Sequence, residues 1–155
     1  MLEKDLNSII NRSLSEYGFS HKIADPMHGT GTQKPFDGFS VFLNSSWYWE
    51  SKFLKGYQAF NFKRIESHQM DSLLYIKKEL DKVYSLIILG VYYPRKYFDL
   101  YFFDIDYIYN LIDSKKSILK KELLDLKNNH SIKIIRKDDK YWIEDVLSIP
   151  SKVLY

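Results

Sequence analysis

The chain contains no cysteine. That excludes a disulfide-stapled scaffold, a thiolate zinc site and a cysteine nucleophile, and it fits a reducing, cytoplasmic setting. Long apolar runs are missing as well. The longest, Leu86 to Tyr93, is far short of the ~18 residues of a membrane-crossing helix and suits a buried strand. No membrane partner is expected. The opening residues Met1-Leu2-Glu3-Lys4-Asp5 are charged rather than apolar and do not read as a signal peptide. Glycine and proline are sparse, at 6 and 4 residues, and no Gly/Ser linker or internal repeat divides the 155 residues. A single domain spanning residues 1–155 is expected. Neither charge sign dominates. A net charge of +3 and a pI near 8.8 permit an anionic partner without demanding one.

What is present points to a folded chain. Hydrophobic residues make up 45% and charged residues 28%, which is ordinary for a globular domain and unlike a disordered one. Aromatics reach 17%, with 13 tyrosines. They read either as a tyrosine-rich core and surface or as a platform for stacking nucleobases. Periodicity then sets the order of elements. Leu6, Ile9, Ile10 and Leu14 recur at helical spacing and predict a helix over residues 3–17, stopped by Gly18. A short strand over 19–25 and a Gly/Pro loop over 26–35 follow. Strands over 36–43 and 47–54 are joined by a turn at Asn44-Ser45-Ser46. Residues 65–83 read as a helix, 84–92 as a central strand apolar on both faces, and 97–103 as a further strand. Residues 105–112 and 118–126 read as helices, and strands 132–135 and 141–143 form a hairpin around Asp138-Asp139. The expected class is α/β, a mixed sheet flanked by helices.

The chemistry concentrates in the first hairpin. Asp37 opens one strand, and Glu50-Ser51-Lys52 lies on the next. Residues two apart on a strand share a face, so Glu50 and Lys52 project together, and pairing brings Asp37 alongside. Two carboxylates and an ammonium on one face form a potential Mg²⁺ site, with hard oxygen ligands for the ion and a cation beside the attacking water. The Ser51 carbonyl is a further candidate ligand. With 19 lysines and 7 glutamates in the chain, about one Glu-x-Lys is expected by chance. Context is what selects it. Asp-x-Lys also occurs at Asp113, Asp125 and Asp138, but none of these has an upstream Asp on a paired strand. Trp47 and Trp49 alternate with Glu50 and should face the core. Lys34, Lys55, Lys63 and Arg64 flank the site, and His28, Thr30 and Thr32 lie in the loop before Asp37. These are candidate phosphate contacts, each equally readable as an ordinary surface residue. Lys115–Lys121 reads as a solvated helix face.

Read in order, these segments resemble the RecU-type Holliday junction resolvases, a branch of the PD-(D/E)xK nuclease superfamily. Leu2-Glu3-Lys4-Asp5-Leu6-Asn7 is similar to the acidic N-terminal helix of that family. Asp37-Gly38 followed by Glu50-Ser51-Lys52 is similar to its catalytic hairpin, and Asn61-Phe62 with His68-Gln69-Met70 to the start of its next helix. Residues 84–92 and the basic helix from Lys116 continue the likeness, which spans about residues 2–125. The resemblance implies a restriction-endonuclease-like fold, a homodimer, and Mg²⁺-dependent nicking of four-way DNA junctions, with Mn²⁺ able to substitute. It implies that Asp37 and Glu50 hold metal, that Lys52 orients or deprotonates the water, and that Gln69 steadies the site. Glu3, or equally Asp5, would be an outer acid. The sequence departs from the family in three places, one being that the long basic N-terminal tail common in the family is missing. Only residues 26–35 stand where the family inserts a stalk that helps engage the junction, and Lys63 to Ser67 lengthen the spacing before His68-Gln69. The competing expectations are a restriction-type or repair endonuclease and a DNA-binding domain that cuts nothing.

Overall fold

The computed structural model describes residues 1–26, 31 and 33–155. Its elements are α1 (Glu3–Ser15), β1 (Phe19–Lys22), β2 (Gly38–Phe42), β3 (Ser45–Lys55), β4 (Phe60–Asn61), α2 (Ser67–Glu79), β5 (Val83–Tyr93), β6 (Tyr97–Asp104), α3 (Ile105–Ile112), β7 (Ser117–Ile118), α4 (Lys120–His130), β8 (Ser131–Lys137), β9 (Lys140–Ile143) and α5 (Ile149–Lys152). Seven strands form one sheet in the order β1-β2-β3-β5-β6-β8-β9. Among the strands of the described residues, β3 and β5 are the one parallel pair. A parallel pair needs a crossover, which α2 provides. The mixed α/β class expected from the sequence is the class the chain adopts. Among the described residues no helix is long and apolar enough to cross a membrane.

The hydrophobic pattern explains the two-sided core. Strand β5 buries Leu86 and Ile88 toward α1, and Ile87, Leu89 and Val91 toward α2 and α3. A central strand covered on both faces must be apolar at every position. Helix α1 lays Leu6, Ile9, Ile10 and Leu14 on the sheet. It comes so close that a Cβ on Gly90 would lie 2.9 Å from the Leu6 side chain, so glycine there is a packing requirement. Strand β3 alternates as the sequence predicts: Trp47 and Trp49 sink into the α1 side, 2% and 1% exposed, leaving the even-numbered residues to the α2 side.

Several element boundaries differ from expectation, among them β1, which ends at Lys22, and β2, which begins at Gly38 so that Asp37 precedes the strand. The β2–β3 turn is Leu43-Asn44, with φ of 51° and 56°, rather than Asn44-Ser45-Ser46. A two-residue hairpin loop of this kind needs both central residues at positive φ, and Ser45 and Ser46 are already in β3. The helix expected over 65–83 is shorter. Residues Phe62–Arg64 form a 3-10 turn, Glu66 caps α2, and the chain turns extended at Leu80. The helix expected at 118–126 begins at Lys120 because Ser117–Ile118 pair with β4, and it continues to His130. The C-terminal residues have a plain structural job: the Leu154 backbone bonds Phe102 and Asp104 at 2.9 and 2.8 Å, closing the end of β6.

Candidate metal centre

The site forms where β2 leaves β3. The last pairing of β2 along β3 is Gly38 opposite Trp49, followed by the Asp37 N–H donating to the Trp49 carbonyl at 2.9 Å. Among the described residues no strand pairs with this edge of β3 beyond that point, and side chains satisfy its backbone. Ser51 N–H donates to Asp37 Oδ2 at 2.8 Å, and the Ser51 hydroxyl lies 3.2 Å from the same oxygen. Two residues on, Phe53 N–H donates to Glu3 Oε1 at 3.3 Å, and its carbonyl accepts from Arg64 at 2.8 Å. Strand geometry turns the Ser51 carbonyl to this same open edge. Gly38 makes the pairing possible: a Cβ there would stand 2.3 Å from the Trp49 indole.

On the α2 face of β3, Glu50 and Lys52 meet as their spacing requires. Lys52 Nζ lies 3.0 Å from Glu50 Oε1, and Gln69 Nε2 donates to that same oxygen at 2.8 Å. The Gln69 amide is oriented by its other end, where Oε1 accepts the Glu66 N–H at 3.0 Å. One glutamine thus caps α2 and grips the carboxylate. Asp37, Glu50 and Lys52 are 6%, 3% and 7% exposed. Buried charges of this kind are costly unless compensated, and the compensation is incomplete. Glu50 Oε2 is buried with no hydrogen-bond partner among the described residues. Burial, and then the charge of Asp37, push the Glu50 carboxyl up to about 7 against the pull of Lys52.

These residues fit a hard divalent cation. An unpartnered carboxylate oxygen beside a second carboxylate offers such an ion hard oxygen ligands. Among the described residues no three His, Asp or Glu side chains converge as a closed cage. Mg²⁺ does not need one, since it is commonly held by one or two carboxylates and keeps several waters. Asp37, Glu50 and the Ser51 carbonyl would hold the ion.

The other expected residues take varied positions. Glu3 sits on the open β3 edge in an ion pair with Arg64 at 2.7 Å and does not contact Glu50 or Lys52. Asp5 caps α1, accepting the Leu2 N–H at 2.7 Å. Arg64 is spent on Glu3 and the Phe53 carbonyl. Lys55 and Lys63 are exposed. Lys34 is not free: its ammonium lies 2.8 Å from Asp37 Oδ1 and 2.9 Å from Asp25 Oδ1. Met27, His28, Gly29, Thr30 and Thr32 lie outside the described residues. Lys115 pairs with Glu122. Asn7 was not singled out by its sequence position. It accepts from the Ser51 hydroxyl at 2.6 Å, tying α1 to the site. The available signal was an asparagine next to Leu6 on the buried stripe of an amphipathic helix.

No family model matches the chain, and no curated protein matches it. Among solved structures the chain is similar to Hjc of Archaeoglobus fulgidus, a Holliday junction resolvase from an archaeal hyperthermophile. The TM-score is 0.42 and the identity 9%, over 95% of this chain and 90% of that one. At so low a similarity, the functional reading stands on the site alone.

Proposed function

We propose that this chain is a metal-dependent DNA endonuclease of the restriction-endonuclease-like kind, and that its substrate is a four-way junction, as in the RecU-type resolvases its motifs resemble. One observation carries the reading: a buried Glu50 with an unsatisfied oxygen, set beside Asp37 and paired with Lys52.

When bound, Mg²⁺ would offset charge on the phosphorane-like transition state and acidify a bound water. The chain's own groups do the rest. Gln69 and Lys52 hold Glu50 Oε1, so that Oε2 is left to the ion. The Ser51 N–H fixes Asp37 Oδ2, which leaves Oδ1, the oxygen that Lys34 meets, for the ion. The Lys52 ammonium places fixed positive charge beside the nucleophilic water and orients it. Lys55 and Lys63, both exposed, would meet phosphates, which would make binding salt-dependent. Symmetric cutting of a junction needs two such sites, hence a homodimer of the 18.6 kDa chain.

The test is incubation with Mg²⁺ and labelled four-way junction, linear duplex or single strand. Paired symmetric nicks confined to the junction are the expected result, and Glu50→Ala should abolish them while leaving DNA binding largely intact. Cutting of linear duplex would shift the reading to a restriction-type or repair endonuclease. Retarded mobility without cleavage would overturn the enzymatic reading in favour of a DNA-binding domain.

A further inference from the structure

We propose that Lys34 is the built-in counter-cation of the metal site: its ammonium holds the Asp37 oxygen that a divalent ion takes, and Asp25 receives that ammonium when the ion arrives. The inference rests on the metal-site reading above. Asp37 Oδ2 is occupied by Ser51, so Oδ1 is the oxygen available to an ion, and that is where Lys34 Nζ sits, at 2.8 Å. The Lys34 side chain is 19% exposed and that of Asp37 7%, so this is a largely desolvated pair rather than a surface contact. In the metal-free chain it supplies the charge that two neighbouring buried carboxylates require, with Lys52 serving Glu50 and Lys34 serving Asp37.

A divalent ion and an ammonium cannot share one carboxylate oxygen without strong repulsion. Lysine is suited to yield, being a compact charge on a flexible four-carbon stem. Its second partner is already in reach: Asp25 Oδ1 is 2.9 Å from Nζ, and the Asp25 side chain is 87% exposed. The contact with Lys34 is what draws the Asp25 carboxyl below its ordinary range. The ammonium can therefore leave Asp37 without losing a carboxylate partner and without crossing the site. No covalent change is involved; one ion pair is exchanged for another.

The experiment measures Mn²⁺ binding to the full chain without DNA, by the electron paramagnetic resonance of the free ion, in wild type, Lys34→Met, Asp25→Asn and the double variant. Lys34→Met is expected to bind Mn²⁺ about tenfold more tightly, and Asp25→Asn about threefold more weakly. In the Lys34→Met background, Asp25→Asn should have no effect, because there is no ammonium left to receive. Unchanged or weaker binding by Lys34→Met overturns the inference. So does an Asp25→Asn effect of equal size in both backgrounds, which would mark a general field of charge rather than a hand-over. Lys34→Gln is the second variant should the methionine disturb folding, with circular dichroism as the check. Asp25→Asn, at an exposed position, carries the test if both fail. Glu50→Gln separates the two layers of argument. If it binds Mn²⁺ as wild type does, the metal site itself is wrong and the hand-over falls with it. If it loses Mn²⁺ while Lys34→Met leaves affinity unchanged, only the role of Lys34 falls.

Discussion

Replacing Glu50 by glutamine should make the metal-free protein more stable while destroying its activity. In the folded chain, burial and then Asp37 raise the Glu50 carboxyl from 4.5 to about 7. The unfolded chain holds it near 4.5, so the folded chain binds the extra proton between these values. The penalty is therefore absent below about pH 4.5, grows as pH rises through about 7, and is complete above it. At about 1.4 kcal/mol for each factor of ten in proton affinity, the full penalty is on the order of 3 kcal/mol. Glutamine is a neutral isostere whose carbonyl oxygen can still accept from Lys52 and Gln69, so it removes the penalty and keeps the shape. Urea unfolding of both proteins in EDTA should show nearly equal stability at pH 5 and, at pH 8, a Glu50→Gln variant more stable by about 2–3 kcal/mol. For a chain of this length that is a melting-point rise of about 5–10 °C. Saturating Mg²⁺ should close the gap by stabilising wild type alone. A Glu50→Gln variant less stable than wild type at pH 8, or a gap independent of pH, would refute the claim that Glu50 is held ionised at a cost.

Three further outcomes follow from the same geometry. Gly38→Ala sets a methyl against the Trp49 indole, at 2.3 Å before relaxation; it should cost about 1–3 kcal/mol by urea unfolding and weaken cleavage by shifting Asp37, whereas neutral stability would deny the close approach. Lys52→Met should keep Mn²⁺ binding in calorimetry and lower the cleavage rate at least about a hundredfold; loss of metal binding would make Lys52 a structural partner only. Gln69→Leu removes both the α2 cap and the donor to Glu50, so it should cost about 2–3 kcal/mol in chemical denaturation and reduce cleavage; an unchanged protein would mean that Gln69 holds neither.

The part of the site written in a simple period was legible in the sequence. Glu50 and Lys52 stand two apart on a strand, and Trp47 and Trp49 at the alternate positions, so a pleat alone places the charges on one face and the indoles on the other. The unbroken apolar run of β5 likewise announced a central strand. Contacts made across the fold were not legible. Lys34 precedes Asp37 in an irregular segment where no period fixes its direction, and its pairing with both Asp25 and Asp37 depends on how that segment folds back. Glu66 and Gln69 do carry the spacing of a capping box, but Phe62 and Ile65 extend the apolar pattern upstream and obscured where α2 begins. Strands β4 and β7 are two residues each, too short for any alternation, and Ser117–Ile118 reads as helix until its distant partner is known. The aromatic richness resolves mostly into core. A row of rings, Phe19, Phe39, Tyr48 and Phe36, nevertheless crosses β1–β3 on the face that carries Glu50, with Phe19 57% exposed.

The central claim is that a divalent cation is gripped at the open edge of β3. Anomalous diffraction from a crystal soaked in Mn²⁺ tests it most directly. The account predicts one strong peak within bonding reach of Glu50 Oε2 and Asp37 Oδ1, with the Ser51 carbonyl turned toward it. A crystal that takes up Mn²⁺ elsewhere, with Glu50 Oε2 still bare and Lys34 still on Asp37, would contradict it.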